Sequence, residues 1–316
     1  MRALLMDIGQ PADLRQILGR DILDYQLDWL KTDDDITETI VLTDSVAVDL
    51  RRSGTVYHSC AELPKYDLLK SLLNDQPFLL IYGPLLTSFK PQELRAAFRA
   101  AQADIVCLTG GFFHGETFAV EQDSGHKLTS VFGSGAPVNN LCIVNPLLLT
   151  YYFHERFEMQ TFLAEMLKAR RRIFCLENTG WLEYVNTYPA YFQASGWLLK
   201  NAPVKGAKIH QSYYGKNCEI DFSVSLRGRQ FFGDDCLIGK DSILQNSIFL
   251  DRAAVGENCR INNSILQKNV KIGRNCELKN CLLGEGVAIG DNVRLPDNTI
   301  LAAGSAVKDY SGVLDV

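Results

Sequence analysis

The sequence predicts an α/β domain over residues 1–202 followed by a parallel β-helix over residues 203–316. Three observations predict it. Apolar strand-like runs alternate with helix-like runs as far as Asn201. A repeat 17 residues long then takes over. The chain has 316 residues, 47% hydrophobic and 22% charged. That is an ordinary globular balance, which excludes disorder, collagen and coiled coil and supplies about two domains of ~150 residues.

In the first domain, strand-like runs fall at Arg2–Ile8, Thr39–Thr43, Phe78–Tyr82, Ile105–Leu108, Leu141–Val144 and Arg172–Leu176. Between them, Asp21–Lys31 carries Ile22, Leu23, Leu27 and Leu30 at helical spacing. Pro91–Gln102 opens with Pro in its first turn and sets Leu94, Ala97 and Phe98 on one face. Phe157–Ala169 and Asn186–Lys200 are two further helical segments. Such alternation predicts a mostly parallel sheet covered on both faces. The change of grammar falls near Asn201-Ala202-Pro203.

The second domain repeats itself from Ile238, Val255, Ile272 and Ile289, starts that are 17 residues apart. Each copy reads aliphatic, Gly, polar, Asn or Asp, small residue, and then an aliphatic at the seventh position (Leu244, Ile261, Leu278, Leu295). Tyr214–Cys218 and Phe232–Cys236 look like weaker preceding copies, 18 residues apart. The period is too short for helical hairpins and fits one coil of short strands. Gly and Asn tolerate the positive φ of tight corners. One coil cannot bury its interior alone, but a stack can. Cys218, Cys236, Cys259 and Cys276 are expected in one column of the stack, with Val293 closing it. A slot that accepts Val calls for a small inward apolar residue rather than a metal ligand.

Charge and targeting signals narrow the function. Lys plus Arg number 32 and Asp plus Glu 37, a net charge of −5, which does not suit nucleic acid or an anionic membrane. The opening MRALLMDIGQ lacks a secretory apolar core, and no run approaches the ~20 apolar residues of a spanning helix. Nine Cys occur without a CxxC, which fits free thiols in a reducing compartment. The sequence therefore predicts a soluble cytoplasmic protein.

Several segments resemble one family in a shared order. Ile22–Leu30 (ILDYQLDWL) is similar to its "PLIDYQLEWL" helix. Phe78–Gly83 resembles the strand that ends at a catalytic GD dipeptide. Asn140–Pro146 resembles "NAGIYVFNP", Gly180–Glu183 resembles "GYWLD", and Asn280–Gly286 and Ile289–Asn292 resemble its coils. The family is that of the sugar-1-phosphate nucleotidyltransferases, or NDP-sugar pyrophosphorylases. The resemblance is to the branch with a C-terminal left-handed β-helix of hexapeptide repeats: ADP-glucose and GDP-mannose pyrophosphorylases and their non-catalytic relatives. It implies a Rossmann-like mixed sheet and a left-handed coil.

The family's chemistry needs groups that this chain lacks. A G-x-G-T-R loop should cradle the triphosphate, and the chain has Gly9, Gln10, Pro11, Ala12 and Asp13. Pro11 offers no N–H, and Asp13 is negative where an Arg should meet phosphate. The metal-holding Asp of GD becomes Pro84, after Gly83, and a proline cannot bind Mg²⁺. The Asp of "WLD" becomes Glu183, one methylene longer. The Gly of the "NAGIYVFNP" strand falls at Asn140, and Val131–Ser134 stands where a sugar-site E-K-P should be. Each electrostatic stabiliser of this kind is worth ~3–4 kcal/mol, and losing several together implies an inactive relative with no resident cofactor. Gly9, Gly83 and Asn140 would line a remnant pocket; Asp7 and Glu183 are the only acids placed to hold a metal. Inactive members of the family act as regulatory or architectural subunits, as do the exchange-factor subunits of translation initiation that share the architecture. The resemblance thus implies a homo-oligomer, or a hetero-oligomer with a catalytic paralogue, with a sugar nucleotide as a possible effector.

Two rival readings are weighed. A divergent active nucleotidyltransferase, with Mg²⁺, is one. A hexapeptide-repeat acyltransferase is the other; it would need a His base. Of His58, His114, His126, His154 and His210, only His210 lies near the coils. Lys168–Arg172 reads as a solvated helix end or as a phosphate or partner site. Gly110–Gly115 reads as a long turn or a ligand loop. Thr179-Gly180-Trp181 with Tyr184, Tyr188 and Tyr191 reads as packing of the domain junction or, for some of them, as the lining of a remnant sugar pocket, and Ala306–Val316 is expected to cap the last coil.

Overall fold

The computed structural model describes residues 1–7, 14–43, 55–59, 73, 76–110, 118–131, 133, 135–148, 158–201, 207–209 and 211–312, with backbone alone for His58 and Ser59. The chain divides into two compact units, Met1–Arg15 with Asp21–Tyr191, and Gln16–Arg20 with Phe192–Val316.

Up to Asn201 the elements run β1 (Arg2–Asp7), β2 (Gln16–Ile17), β3 (Arg20–Asp21), α1 (Ile22–Leu30), β4 (Glu38–Thr43), β5 (Thr55–Ser59), β6 (Phe78–Tyr82), β7 (Leu85–Thr87), α2 (Pro91–Ala101), β8 (Ile105–Thr109), β9 (Ala119–Gln122), β10 (Leu128–Ser130), β11 (Ala136–Val144), α3 (Met159–Lys168), β12 (Ile173–Glu177), β13 (Leu182–Tyr184) and α4 (Tyr188–Asn201). β1 pairs in parallel with β4 and β6, and β4 with β5. β8 and β12 are also parallel. β11 runs antiparallel between β6 and β8 and joins the two parallel sets into one mixed sheet.

Alternation along β1 explains both faces of this sheet. Leu4 and Met6 share one buried layer with Ile40, Leu80 and with Phe162, Leu163 and Met166 of α3. Ala3 and Leu5 share the other with Val41, Leu79, with Leu23, Leu27 and Leu30 of α1, and with Leu94 of α2. α1 starts where Asp21 accepts the Leu23 N–H at 2.8 Å, an N-cap. α2 starts at Pro91 and stops at Gln102, whose φ is +46°. Arg95 of α2 is buried and binds both oxygens of Asp33, each at 2.8 Å, and also Asp35.

Most of the second unit is a parallel β-helix; among the described residues it has three stacked sheets, seven, six and four strands high. The first sheet begins with Ala207–Ile209, which runs antiparallel on Ser212–Tyr214. Every other pairing in the three stacks is parallel and in register from coil to coil. Like residues therefore stack on like. One inner column runs Tyr214, Phe232, Phe249, Leu266, Leu283, Leu301; its first three rings stack with centroids 5.2 and 5.1 Å apart. The corners take positive φ at Asn217, Asp235, Asn258, Asn275 and Asn292. The amides form ladders there: Asn275 Nδ2 donates to Asn292 Oδ1 at 3.0 Å. Gly256 has no room for a side chain, because a Cβ would lie 2.6 Å from the Gly273 carbonyl oxygen one coil on.

The register corrects one expectation. The four cysteines do not share a column. Cys218 stacks under Cys236, in line with Ala253, Val270 and Val287, whereas Cys259 stacks under Cys276, in line with Val224, Ser242 and Val293. The corners of a coil reuse one pattern of aliphatic, Gly, polar, Asn or Asp, small residue. A period read at one corner therefore slides onto the next. Tyr214–Cys218 and Phe232–Cys236 belong to a neighbouring corner, not to earlier copies of the Ile238 series. At the other end, Ala306–Val307 forms a last strand. Ser311 then accepts the Arg294 N–H at 3.0 Å through its carbonyl, folding the chain over the final coil. Among the described residues no helix is long and apolar enough to cross a membrane.

Candidate functional site

The carboxyl ends of parallel strands are where α/β sheets expose ligand sites, and Asp7 and Gly83 fall there. β1 ends at Asp7, and the Gly83 N–H after β6 donates to the Met6 carbonyl at 2.8 Å. This sets Asp7 and Gly83 side by side at the sheet's edge. Asp7 is buried; it accepts from Thr43 Oγ1 at 3.1 Å and faces Arg15 Nη1 at 3.5 Å. Its charge is thus met from within the chain.

Gly83 has φ +79°, a conformation that suits glycine. Gln26 Nε2 donates to its carbonyl at 2.8 Å from the buried side of α1. The chain folds back tightly over Pro84: the Leu85 N–H donates to the Gly83 carbonyl at 2.9 Å, and the Val185 N–H to the Pro84 carbonyl at 2.9 Å. β7 then pairs antiparallel with β13, placing Tyr184 opposite Leu85 and Glu183 opposite Leu86.

That pairing brings Tyr184 onto Gly83. A Cβ at Gly83 would lie 2.3 Å from the Tyr184 hydroxyl and 2.8 Å from its ring. Burial pushes the Tyr184 phenol well above its ordinary pKa, neighbouring Tyr82 adds to this, and a hydrogen bond with Asn140 works the other way. Gly83, Asn140 and Tyr184 therefore form one packed group. Successive strand residues face opposite ways, so Glu183, 1% exposed, faces away from the Tyr184 side of β13. Gly9 and Asp13 lie outside the described residues, and so do His114, His154 and His210.

Sequence reasoning placed Tyr184 either in the domain junction or along a remnant sugar pocket and missed its contact with Gly83. It also missed Asn139 and Asn178. Asn139 Nδ2 donates to the Gly110 carbonyl at 2.8 Å, and Asn178 Oδ1 accepts from the Gly180 N–H at 2.9 Å. Both side chains are buried, and Asn139 Oδ1 and Asn178 Nδ2 have no hydrogen-bond partner. The readable signal was the doubled amide Asn139-Asn140 just before the apolar run Leu141–Val144. Gly110 has φ +78°, and residues 111–115 of that loop lie outside the described residues. Lys168–Arg172 is exposed throughout. Its backbone closes α3, with Arg170 in the left-handed region at φ +56° and the Arg171 N–H donating to the Met166 carbonyl at 3.0 Å. Among the described residues no group of three or more His, Cys, Asp or Glu is gathered as a metal ion requires.

Residues 209–313 match a family model, the LbH domain of EIF2B subunit epsilon. The β-helix is left-handed, as that match and the parallel stacks together establish. No curated protein matches the chain. The chain is a Rossmann-like mixed sheet followed by a left-handed β-helix similar to that of EIF2B epsilon.

Proposed function

We propose that this chain is a non-catalytic member of the NDP-sugar pyrophosphorylase-like proteins and acts as a regulatory or scaffolding subunit. The observation that carries the reading is the packed group at Gly83. Tyr184 and Asn140 close over the turn where a metal-binding carboxylate would be required, and the turn itself carries Pro84. The remaining acids do not fit a magnesium ion. Asp7 is engaged by Arg15 and Thr43, and Glu183 faces away from the Tyr184 side. The likeness of residues 209–313 to a domain of EIF2B epsilon supports the subunit role by analogy of fold. The open strand edges of a β-helix favour assembly, either with a second copy or with a catalytic paralogue. In this reading a sugar nucleotide at Gly83 and Asn140 is an effector that is held and not turned over.

The test is direct. Purified protein is mixed with each nucleoside triphosphate, Mg²⁺ and glucose-, mannose- or N-acetylglucosamine-1-phosphate, and pyrophosphate is followed. No release above background is expected; release dependent on Glu183 would establish a divergent enzyme instead. Sedimentation of the protein, alone and with an intact paralogue, reads assembly. A monomer in both experiments would overturn the subunit reading.

A further inference from the structure

We infer that Cys218 and Cys236 form a redox-sensitive staple between the first and second coils of the β-helix. The register puts the two residues directly one above the other. Stacked strands lie about 4.8 Å apart, inside the Cα window of about 4.4–6.8 Å that a disulfide needs. Both lie on equivalent sides of their coils, with Cys218 Sγ 3.1 Å from the Gly233 carbonyl oxygen and Cys236 Sγ 3.4 Å from that of Leu250.

Access separates this pair from its counterpart. Cys218 is half-buried, in a first coil whose inner residues Tyr214, Ile220, Val224 and Leu226 are also only partly buried. The same first coil bears an open cavity of about 420 Å³ lined by Ile209, Gln211, Ser212, Tyr214, Leu226 and Gly228. Cys259 and Cys276 stack in the same way one corner on, but they are 0% and 1% exposed. Cys276 is the more acidic thiol of that pair, lowered by its interaction with Cys259. It is nevertheless sealed between coils. Burial raises the Cys218 thiol, so its reaction is slow at neutral pH and quickens as pH rises.

The co-reactant is a small disulfide such as oxidised glutathione. The Cys218 thiolate attacks one sulfur of that disulfide and expels a glutathione thiolate. The Cys236 thiolate then attacks the Cys218 sulfur and expels the second. Two protein thiols are oxidised, one disulfide is reduced to two thiols, and the two protons leaving the protein sulfurs end on the two glutathione sulfurs. The staple closes a loop across the coil with the least cover, so the first coil opens freely when reduced and is held when oxidised.

The experiment uses the whole protein. It is incubated with oxidised glutathione at pH 8, alkylated, digested with trypsin and mapped by mass. The expected product joins residues 217–227 to residues 230–240 and is about two mass units lighter than the reduced pair. Cys236→Ser should stop the reaction at a glutathione adduct on Cys218. Amide exchange in the first coil should slow on oxidation. The inference is overturned if the native protein stays reduced while the urea-unfolded chain oxidises. It is equally overturned if Cys259 and Cys276 join as fast as Cys218 and Cys236.

Discussion

The hydroxyl of Tyr184 lies over Gly83 so closely that a Cβ there would stand 2.3 Å from it. Gly83→Ala would meet that contact and also the φ of +79°. It is expected to cost about 2–4 kcal/mol, the strain of a non-Gly residue at positive φ together with overpacking. Urea unfolding measures this. Tyr184→Phe in the same background should recover part of the loss, because it removes the closest atom. No recovery would mean that the backbone alone carries the cost.

Asp33, 2% exposed, depends on Arg95 for its counter-charge. Arg95→Met leaves that carboxylate buried without a cation, and about 3–5 kcal/mol should be lost. Chemical denaturation at pH 7 reads it. The double variant with Asp33→Leu should lose much less, since no unpaired charge remains.

Within the β-helix two glycine substitutions should separate sharply. Gly256→Ala drives a Cβ to 2.6 Å from the Gly273 oxygen, whereas Gly304 has nothing within 4 Å and only its φ of +72° to resist. The first should cost about 2–3 kcal/mol and the second about 1 kcal/mol. Equal losses in thermal or urea melts would refute close stacking at the Gly256 corner.

Acid should destabilise the protein in a defined window. Asp35 and Asp291 are held below the ordinary carboxylate pKa by hydrogen bonds from Arg95 and Arg274. A carboxyl more acidic folded than unfolded contributes stability above its ordinary pKa and loses it as pH falls through the folded value. The urea midpoint should therefore decline beneath about pH 4. Asp21 acts with the opposite sign, because burial raises its carboxyl: it favours folding most when protonated. Asp21→Asn keeps an acceptor for the Leu23 N–H and should match the wild type at pH 7 within about 0.5 kcal/mol. Asp21→Ala, which removes the cap, should lose about 1 kcal/mol.

Much of this architecture was legible because period and burial speak directly in the sequence. Ile22, Leu23, Leu27 and Leu30 announced α1, and the series Ile238, Val255, Ile272, Ile289 is one true inner column. β5, β7 and the β9–β10 hairpin were not read, because short strands such as Leu85–Thr87 form through pairing with distant partners, not through their own pattern. The cysteine columns were confounded for a different reason: adjacent corners share one composition, so only pairing could tell them apart. At the candidate site, Gly83, Pro84 and Asn140 were identified from motif position. The contact of Tyr184 with Gly83 was hidden, since it arises from the β7–β13 pairing that sets the ring over that glycine.

The in-register stacking of 17- and 18-residue coils carries a last consequence. Each coil meets only the one above and the one below, so the prism can gain or lose whole coils without redrawing the sheet that precedes it. Its height becomes an adjustable ruler, lengthened by about one strand spacing per added coil.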